Sequence, residues 1–494
     1  MKIRKLLQML LLAVCMQVIF LLPQKAYASE MIPVTPNEIF YGTLETADTA
    51  HYYSFTVDKQ GYFNIDFSVE DITADTKDGW KVELYNEDTG QCIYSEVLTS
   101  NTVLPTFNFK KGTKLYLSVS GEYFIYASDV PVGQRYSVNI KTVEDKSWEQ
   151  EGNDTADTST PVVAGKTYNG NLYWYNDVDY YKYKVDHFGY FNIDFSVADV
   201  TVDTMDGWKV ELYNAATGKC IYSNMLTTNA TLPPFNFKKG TELYIAISED
   251  YFIYTNEVPV WQQYSINIKT VEDKSWEQES LVSSDESWSI RSKSATAISL
   301  GKKYNGNMCV ADDNDLYKFS IDKNGYVTVK FDPDDVESNT GEGYVVNILT
   351  KTGTKVSENV VKSVANIKIY LKKGTYYIEI SRRSSSSPLL KRYIVSATHK
   401  AKIPAKVSLI KKKGTIVSWK KISDADGYEI CYATNKNFKK ATKISLEKAD
   451  INSYEIYGLQ EGKTYYVRVR AYKNAGAGTK VYGGWSSTVK VKRR

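Results

Sequence analysis

The sequence has little of the side-chain chemistry on which most enzymes depend. Its 494 residues include three histidines and five cysteines. His51, His187 and His399 are far apart, and no HExxH, GxSxG or Cys–His spacing accompanies them. This scarcity argues against a zinc peptidase, a serine hydrolase and a cysteine peptidase. Paired carboxylates for glycoside hydrolysis stay open, because 58 residues are acidic. We expect a protein that is not an enzyme and has no organic cofactor.

Cysteine is too scarce to build a disulfide framework. Cys15 lies in the N-terminal apolar run, and Cys92 and Cys220 are each followed by Ile-Tyr-Ser. We interpret Cys92 and Cys220 as small buried hydrophobic residues. Cys309 and Cys431 belong to different predicted domains, so we expect no structural disulfide. An exported chain of this size without such a framework is typical of a bacterial source.

Long apolar runs are missing except at the N-terminus. Lys2, Arg4 and Lys5 precede an apolar stretch over 6–22, and a small-x-small cleavage site follows at 26–28. This pattern predicts a signal peptide over 1–28 and a secreted, extracellular protein, with a membrane anchor as the alternative. No later run is long enough to span a bilayer.

The sequence does contain a 128-residue module that occurs twice without an insertion or deletion. The segment Gly-Tyr-Phe-Asn-Ile-Asp over 61–66 returns over 189–194, and TVEDKSWEQE occupies both 142–151 and 270–279. Such a duplication indicates that each module folds by itself and that the function is repeated or avid, which argues against one composite active site. We expect Trp148 and Trp276, in the repeated linker, to anchor that linker to a sheet edge.

Strand patterns dominate the rest of the chain. Alternating apolar residues and frequent turns predict an all-β protein built from sandwiches, with no convincing amphipathic helix. Three alternating sets should face the core: Tyr53, Phe55 and Val57; Tyr181, Tyr183 and Val185; Tyr317, Phe319 and Ile321. The predicted repeats are 36–146, 149–274 with an acidic linker at its start, and a diverged third at 296–400.

The order of short motifs in these repeats resembles the bacterial pre-peptidase C-terminal domain. In the second copy the motifs are Glu-x-Glu-x-Asn-Asp-Thr over 149–155, Tyr-Asn-Gly over 168–170, Asp-x-Asp-Tyr-Tyr over 177–181, a Gly-Tyr turn at 189–190 and Lys-Gly-Thr over 239–241. That family is a jelly-roll-like β-sandwich, found beside secreted peptidases and in the collagen-binding modules of clostridial collagenases. The resemblance covers roughly 36–400.

Residues 404–494 resemble a fibronectin type III domain. Gly-Thr-Ile-Val-Ser-Trp over 414–419 resembles the strand that carries the core tryptophan, and Leu…Gly…Tyr over 459–465 resembles the tyrosine corner. The resemblance gives Trp419 and Tyr465 structural roles.

Calcium is the strongest chemical hypothesis. Hard oxygen ligands converge if the acidic linker packs along the turn before the second Tyr-Tyr strand, and the collagen-binding members of the resembled family bind calcium with a like arrangement. The predicted ligands of this structural site are Glu149, Glu151, Asn153, Asp154, Asn176, Asp177 and Asp179. A hydrated acidic linker beside an Asp-rich turn is the alternative.

The other copies predict a weaker site and an empty position. At the start of the third repeat the candidate ligands are Glu277, Glu279, Asp312, Asp313 and Asp315. The first repeat has no such linker before it, and His51 stands where the second repeat has Asp179.

Aromatic residues are the candidates for contact with a polymer, because flat rings stack on sugars or pack on extended peptides. The candidates are Trp80, Trp208, Tyr123, Tyr126, Tyr251 and Tyr254. Residues 401–494 hold 21 Lys and Arg against 7 Asp and Glu, whereas 29–400 carry a net charge of −15. This asymmetry favours contact with an anionic surface, packing of the tail on the body, or solvated surface charge.

These patterns together predict extracellular binding of a polysaccharide, a wall polymer or a matrix protein. A spacer without a specific ligand, and a hydrolase with an unrecognised site, are the alternatives. Nucleic-acid binding is not expected, because the sequence has no RNP, OB-type or helix-turn-helix signal.

Overall fold

The computed structural model describes residues 31–70, 79–121, 130–173, 177–198, 207–249, 260–279, 285–308, 314–333, 343–384 and 391–493. The predicted signal peptide lies outside these residues. β-Strands dominate throughout, which confirms the all-β class. Two compact units form, the first from residues up to Asp154 with Asn169–Asp177 and Val260–Gln263, and the second from the rest. No helix among the described residues is long and apolar enough to cross a membrane.

The first sandwich consists of a five-stranded sheet, β1-β3-β8-β5-β6, and a four-stranded sheet, β2-β9-β4-β7. Its strands are β1 Ile32–Pro33, β2 Ile39–Thr43, β3 Ala50–Thr56, β4 Gly61–Val69, β5 Trp80–Asn86, β6 Cys92–Leu98, β7 Thr102–Val103, β8 Lys114–Gly121 and β9 Arg135–Glu144. β1 pairs in parallel with β3, so a strand of this sandwich precedes the predicted start at residue 36.

The second sandwich repeats this topology with sheets β10-β12-β17-β14-β15 and β11-β18-β13-β16. Its strands are β10 Thr160–Val162, β11 Thr167–Asn171, β12 Val178–Lys184, β13 Gly189–Val197, β14 Trp208–Asn214, β15 Cys220–Leu226, β16 Ala230–Thr231, β17 Glu242–Glu249 and β18 Gln263–Glu272. A 3-10 turn over Ala156–Thr158 precedes β10.

The third sandwich has sheets β19-β21-β26-β23-β24 and β20-β27-β22-β25. Its strands are β19 Thr296–Ala297, β20 Lys303–Asn307, β21 Asn314–Ile321, β22 Gly325–Pro333, β23 Tyr344–Thr350, β24 Lys355–Val361, β25 Ala365–Leu371, β26 Gly374–Arg382 and β27 Arg392–Ala401. A short helix, α1 Trp288–Ser294, packs on this sandwich. Strand alternation does not predict α1: the ring of Trp288 and its hydrogen bond to the sandwich stabilise this short segment.

The C-terminal domain pairs a three-stranded sheet, β28-β29-β32, with a sheet in the order β31-β30-β33-β34, to which β35 adds along β33. Its strands are β28 Leu409–Lys413, β29 Ile416–Trp419, β30 Gly427–Ala433, β31 Thr442–Leu446, β32 Ser453–Glu455, β33 Thr464–Asn474, β34 Lys480–Tyr482 and β35 Val489–Lys492. Trp419 is buried against Tyr428. The hydroxyl of Tyr465 accepts a hydrogen bond from the backbone N–H of Gln460 at 3.2 Å.

Period-two alternation places the core as the sequence predicts. All nine residues of the three alternating sets are buried: Tyr53, Phe55, Val57, Tyr181, Tyr183, Val185, Tyr317, Phe319 and Ile321. The first tyrosine of each set makes a buried hydroxyl–hydroxyl contact with a tyrosine of the opposite sheet, at 2.7–2.8 Å: Tyr53 with Tyr136, Tyr181 with Tyr264, and Tyr317 with Tyr393. The same buried tyrosine pair therefore occurs at the same place in all three sandwiches.

The two duplicated cysteines are exposed, so the prediction that they are buried is wrong. The pairing of β5 with β6 shifts register between Leu84 and Tyr85, and Cys92 lies at this irregularity. The same shift occurs between Leu212 and Tyr213, beside Cys220. A bulge inserts an extra residue and re-aims the side chains that follow, which simple alternation does not reveal.

Candidate functional sites

The linker that leads into the third sandwich is held by backbone hydrogen bonds on both sides. The N–H of Glu277 donates to the carbonyl of Asn305 at 2.9 Å, and the N–H of Glu279 donates to the carbonyl of Asn236 at 2.8 Å. Trp276 lies between the end of β18 and Glu277. It is buried, and its ring packs on that of Tyr190 with centroids 4.7 Å apart. Both glutamate side chains are consequently fixed in position and buried.

Asp315 joins these two glutamates to form a buried cluster of three carboxylates. It lies on β21, it is 3% exposed, and it accepts a hydrogen bond from the hydroxyl of Tyr393. One oxygen from each of Glu277, Glu279 and Asp315 lies within 4.8 Å of the others. Burial, reinforced by the charges of Glu277 and Glu279, raises the pKa of Asp315 well above its usual range.

This donor set fits a hard divalent cation. Its donors are all carboxylate oxygens, which calcium prefers, and it lacks the nitrogen and sulfur donors that zinc favours. Three buried acids at such short separations repel one another unless a cation or protons neutralise them.

The same linker sequence makes equivalent contacts within the first unit. The N–H of Glu149 donates to the carbonyl of Asn169 at 2.9 Å, and that of Glu151 to the carbonyl of Asn108 at 3.1 Å. The amide of Asn108 donates to the side chain of Glu149. Trp148 is buried on Tyr62, with ring centroids 5.1 Å apart. Both linker tryptophans therefore anchor the linker, as the sequence predicts.

A second carboxylate cluster forms in this unit from Glu151, Asp154 and Asp177. Glu151 and Asp177 are buried, whereas Asp154 is exposed. Asp177 accepts a hydrogen bond from the backbone N–H of Tyr173 at 2.7 Å. Asn153 is 1% exposed, and neither atom of its side-chain amide has a hydrogen-bond partner among the described residues. A buried amide oxygen without a partner is costly, and a cation would satisfy it.

Asp179 occupies on β12 the place that Asp315 occupies on β21. It is fully buried and accepts a hydrogen bond from the hydroxyl of Tyr264, the counterpart of Tyr393. Its part in metal binding stays a prediction from sequence. Asn176, Asp312 and Asp313 lie outside the described residues.

The first sandwich has a histidine at this place. Nδ1 of His51 lies 2.7 Å from the hydroxyl of Tyr136, and its Nε2 lies 3.4 Å from a carboxylate oxygen of Glu45. Among the described residues no carboxylate cluster forms around His51. The third sandwich, for which the sequence predicts a weaker site, has a cluster whose three acids are all buried.

The aromatic contact residues predicted from sequence need correction. Trp80 and Trp208 are 0% exposed, and each packs in the core against a phenylalanine, Phe67 and Phe195 respectively. A fully buried indole cannot stack on a surface ligand. The glycine before each tryptophan has a left-handed backbone conformation, and the tryptophan then begins a strand with its side chain inward. Tyr123, Tyr126, Tyr251 and Tyr254 lie outside the described residues.

Three half-buried tyrosines instead line the outer face of the five-stranded sheet in each of the first two sandwiches. We call this the tyrosine face; it consists of Tyr52, Tyr85 and Tyr116 in the first sandwich and Tyr180, Tyr213 and Tyr244 in the second. Tyr85 and Tyr116 stack with centroids 4.9 Å apart and planes 7° apart. The hydroxyl of Tyr213 donates to Glu211 at 2.8 Å. Burial, followed by the charge of Glu83, raises the pKa of Tyr85.

In the third sandwich helix α1 covers the same face. The strand registers place Leu316, Leu349 and Tyr377 at the three tyrosine positions. Trp288 packs edge-on against Tyr377 at 4.9 Å, and its Nε1 donates to the carbonyl of Lys351 at 3.0 Å. Arg291 pairs with Glu379.

Comparison with known proteins identifies one domain directly. Residues 404–482 match the family model for the fibronectin type III domain, which confirms that prediction. No curated protein matches the chain.

Similar solved structures include the pre-peptidase C-terminal domain of a collagenase from Bacillus anthracis, with 15% identity, 21% of this chain and 94% of that chain covered, and a TM-score of 0.18. An Fn3-like protein from Clostridium thermocellum has 19% identity, 19% and 93% coverage and a TM-score of 0.15. Both TM-scores belong to matches that cover only short parts of this chain. The chain thus carries a fibronectin type III domain at 404–482, preceded by tandem β-sandwich modules.

Proposed function

We propose that this protein is an exported, non-catalytic binding protein whose first two sandwiches each hold an extracellular polysaccharide on the tyrosine face. The observation that carries the proposal is the recurrence of three outward tyrosines at equivalent positions in two sandwiches, while α1 covers the corresponding positions in the third. Large aromatic groups on an outer sheet face lower solubility. Two faces that keep three such rings each without a covering helix therefore favour a role in ligand binding. Export rests on the predicted signal peptide at 1–28.

The chemistry of the tyrosine face suits sugar rings. Tyrosine offers a flat apolar surface with a polar edge and loses little side-chain entropy when a ligand binds. Charged groups flank the rings, with Lys209 3.2 Å from Glu211 in the second sandwich and Lys81 3.6 Å from Glu83 in the first. A mostly apolar platform with a few fixed polar groups orients hydroxyl-rich ligands.

Calcium is the cofactor that we propose, in a structural role. Glu277, Glu279 and Asp315 would hold one ion, and Glu151, Asp154 and Asp177, with Asn153, would hold another. In each cluster at least one glutamate belongs to the acidic linker. A bound ion would therefore fix the linker and neutralise the buried acids.

The binding proposal is tested with Tyr116→Ala/Tyr244→Ala in the full mature chain. Removing the central ring of each tyrosine face should weaken binding to the polysaccharide selected on a glycan array by at least about tenfold, since a central aromatic contact is worth about 2 kcal/mol. Isothermal titration calorimetry measures the loss. Tyr457→Ala is the matched control, because Tyr457 is 69% exposed and lies outside both faces.

Unchanged affinity in the double variant would refute the tyrosine face as the binding surface. No glycan bound by the wild-type chain, with calcium present, would favour the spacer role.

A further inference from the structure

A stack of alternating rings and guanidinium groups covers the outer face of the larger sheet in the fibronectin type III domain. The guanidinium carbon of Arg468 lies 4.0 Å from the ring centroid of Phe438 and 4.3 Å from that of Trp485. Arg470 continues the stack, 4.3 Å from Trp485 and 3.7 Å from Tyr482. Cation–π contacts at these distances hold both side chains in defined positions.

The two arginines differ in charge compensation. Arg470 forms hydrogen bonds of 2.9 and 2.6 Å with a carboxylate oxygen of Glu429, which is itself buried. Arg468 has no carboxylate partner among the residues that the structure describes, and its Nε is buried without a hydrogen-bond partner. Arg468 is therefore a cation that is packed between two rings and whose charge no described carboxylate neutralises.

The backbone turn that carries Phe438, one ring of the stack, is strained. Phe438 has a φ of 53°, a left-handed conformation that is costly for a bulky residue. Asn435 stabilises this turn by accepting a hydrogen bond from the N–H of Lys439 and donating to its carbonyl, both at 2.9 Å. The opposite ring is fixed through Ser486, which exchanges hydrogen bonds of 2.8 and 2.9 Å with the backbone of Val469.

The surroundings of Arg468 are basic. Cys431 pairs with Arg468 on one side and with Lys443 on the other, so both cations lie in one row across the sheet. The neighbouring row pairs Tyr466 with Lys490. The strained turn adds the exposed lysines Lys436, Lys439 and Lys440. Glu429 is engaged by Arg470, and Glu447 by Lys480.

We propose that Arg468, fixed between Phe438 and Trp485, is the centre of a binding site for a phosphodiester polymer of the polyol-phosphate type. A guanidinium fork matches two oxygens of one phosphodiester, and the surrounding lysines attract the neighbouring phosphates of a linear chain. The site belongs to the C-terminal domain alone and does not depend on polysaccharide binding by the tyrosine faces.

The test measures binding of poly(glycerol phosphate) to the full mature chain by biolayer interferometry at two salt concentrations. Arg468→Gln should weaken binding about tenfold or more, because a charge-assisted hydrogen bond is lost. Arg468→Lys keeps the charge but loses the fork, and it should also bind more weakly than the wild type. Lys463→Gln, which removes one exposed charge from the tyrosine-corner loop, is the control for net charge.

Three outcomes would overturn the proposal: Arg468→Gln no weaker than Lys463→Gln, Arg468→Lys equal to the wild type, or tighter Arg468-dependent binding of dextran sulfate than of poly(glycerol phosphate). Thermal unfolding checks that the variants are folded. If Arg468→Gln does not fold, Arg468→Lys decides.

Discussion

At the scale of single residues, one position distinguishes the three sandwiches. It holds His51, Asp179 and Asp315, and in each sandwich its side chain contacts the tyrosine that pairs with the first core tyrosine. With aspartate the position supplies an oxygen ligand, whereas histidine supplies a nitrogen that calcium does not favour. A single substitution between duplicated copies is thus enough to remove a candidate metal ligand while the scaffold is kept.

Asp315→Asn should lower the melting temperature with calcium but not without it. With calcium present, the variant should melt at a lower temperature than the wild type, because one anionic ligand is lost. With a chelator present, it should melt at the same or a higher temperature, because a buried like charge is removed. Differential scanning calorimetry in calcium and in EDTA measures both. A lower melting temperature in both states would show that Asp315 stabilises the fold without metal.

At the scale of elements, α1 shows how a local segment decides whether a sheet face is open. Its seven residues are too few to form a stable isolated helix. Packing of Trp288 on Tyr377 and the ion pair between Arg291 and Glu379 supply the missing stabilisation. A Cβ added to Gly353 would lie 2.7 Å from the indole of Trp288, so that position has room only for glycine.

Trp288→Ala should release α1 and expose the face beneath it. Loss of a half-buried indole should lower the free energy of unfolding by about 2 kcal/mol. Urea denaturation followed by circular dichroism measures the cost, and binding of a hydrophobic dye should increase. Ser289→Ala, next to Trp288 in the same helix, is the control. Unchanged stability and dye binding in Trp288→Ala would show that the helix is dispensable.

At the scale of the whole molecule, the acidic linkers are structural parts of the sandwiches. Each linker begins after the last strand of one repeat and carries a tryptophan and two glutamates whose contacts were described above. In tandem modules of this kind, each proposed ligand-binding face belongs to a separate sandwich. Repeated weak contacts with a polymer then add up through avidity.

Calcium should stabilise the full chain with a stoichiometry of two ions. At a free concentration 100 times the dissociation constant, each ion contributes about 2.7 kcal/mol. Isothermal titration calorimetry gives the stoichiometry, and limited proteolysis in EDTA should give new cleavage within residues 273–279. Magnesium is the control, since it demands a smaller octahedral site. A titration without heat and without protection from protease would contradict both proposed sites.

Much of the fold follows from local sequence patterns. The all-β class, the inward tyrosines of β3, β12 and β21 and the C-terminal domain can be read from alternation and short motifs, because strand periodicity reports burial directly. The acidic residues of the two clusters can also be picked out from the sequence, because they occupy equivalent positions in the aligned repeats. The depth of burial of Glu277, Glu279 and Asp315 is not visible, because it depends on where the linker packs.

The sequence by itself determined the duplication, the strand alternation and the supply of acids and rings in this protein. The tertiary structure decided which of them are accessible. Trp80 and Trp208 are hidden because each begins its strand with the side chain inward, directly after a left-handed glycine. Cys92 and Cys220 are exposed because a bulge changes the register. The stack around Arg468 joins residues from a turn and two strands. Such non-local contacts arise from sheet register and chain crossing, which nearest-neighbour patterns do not encode.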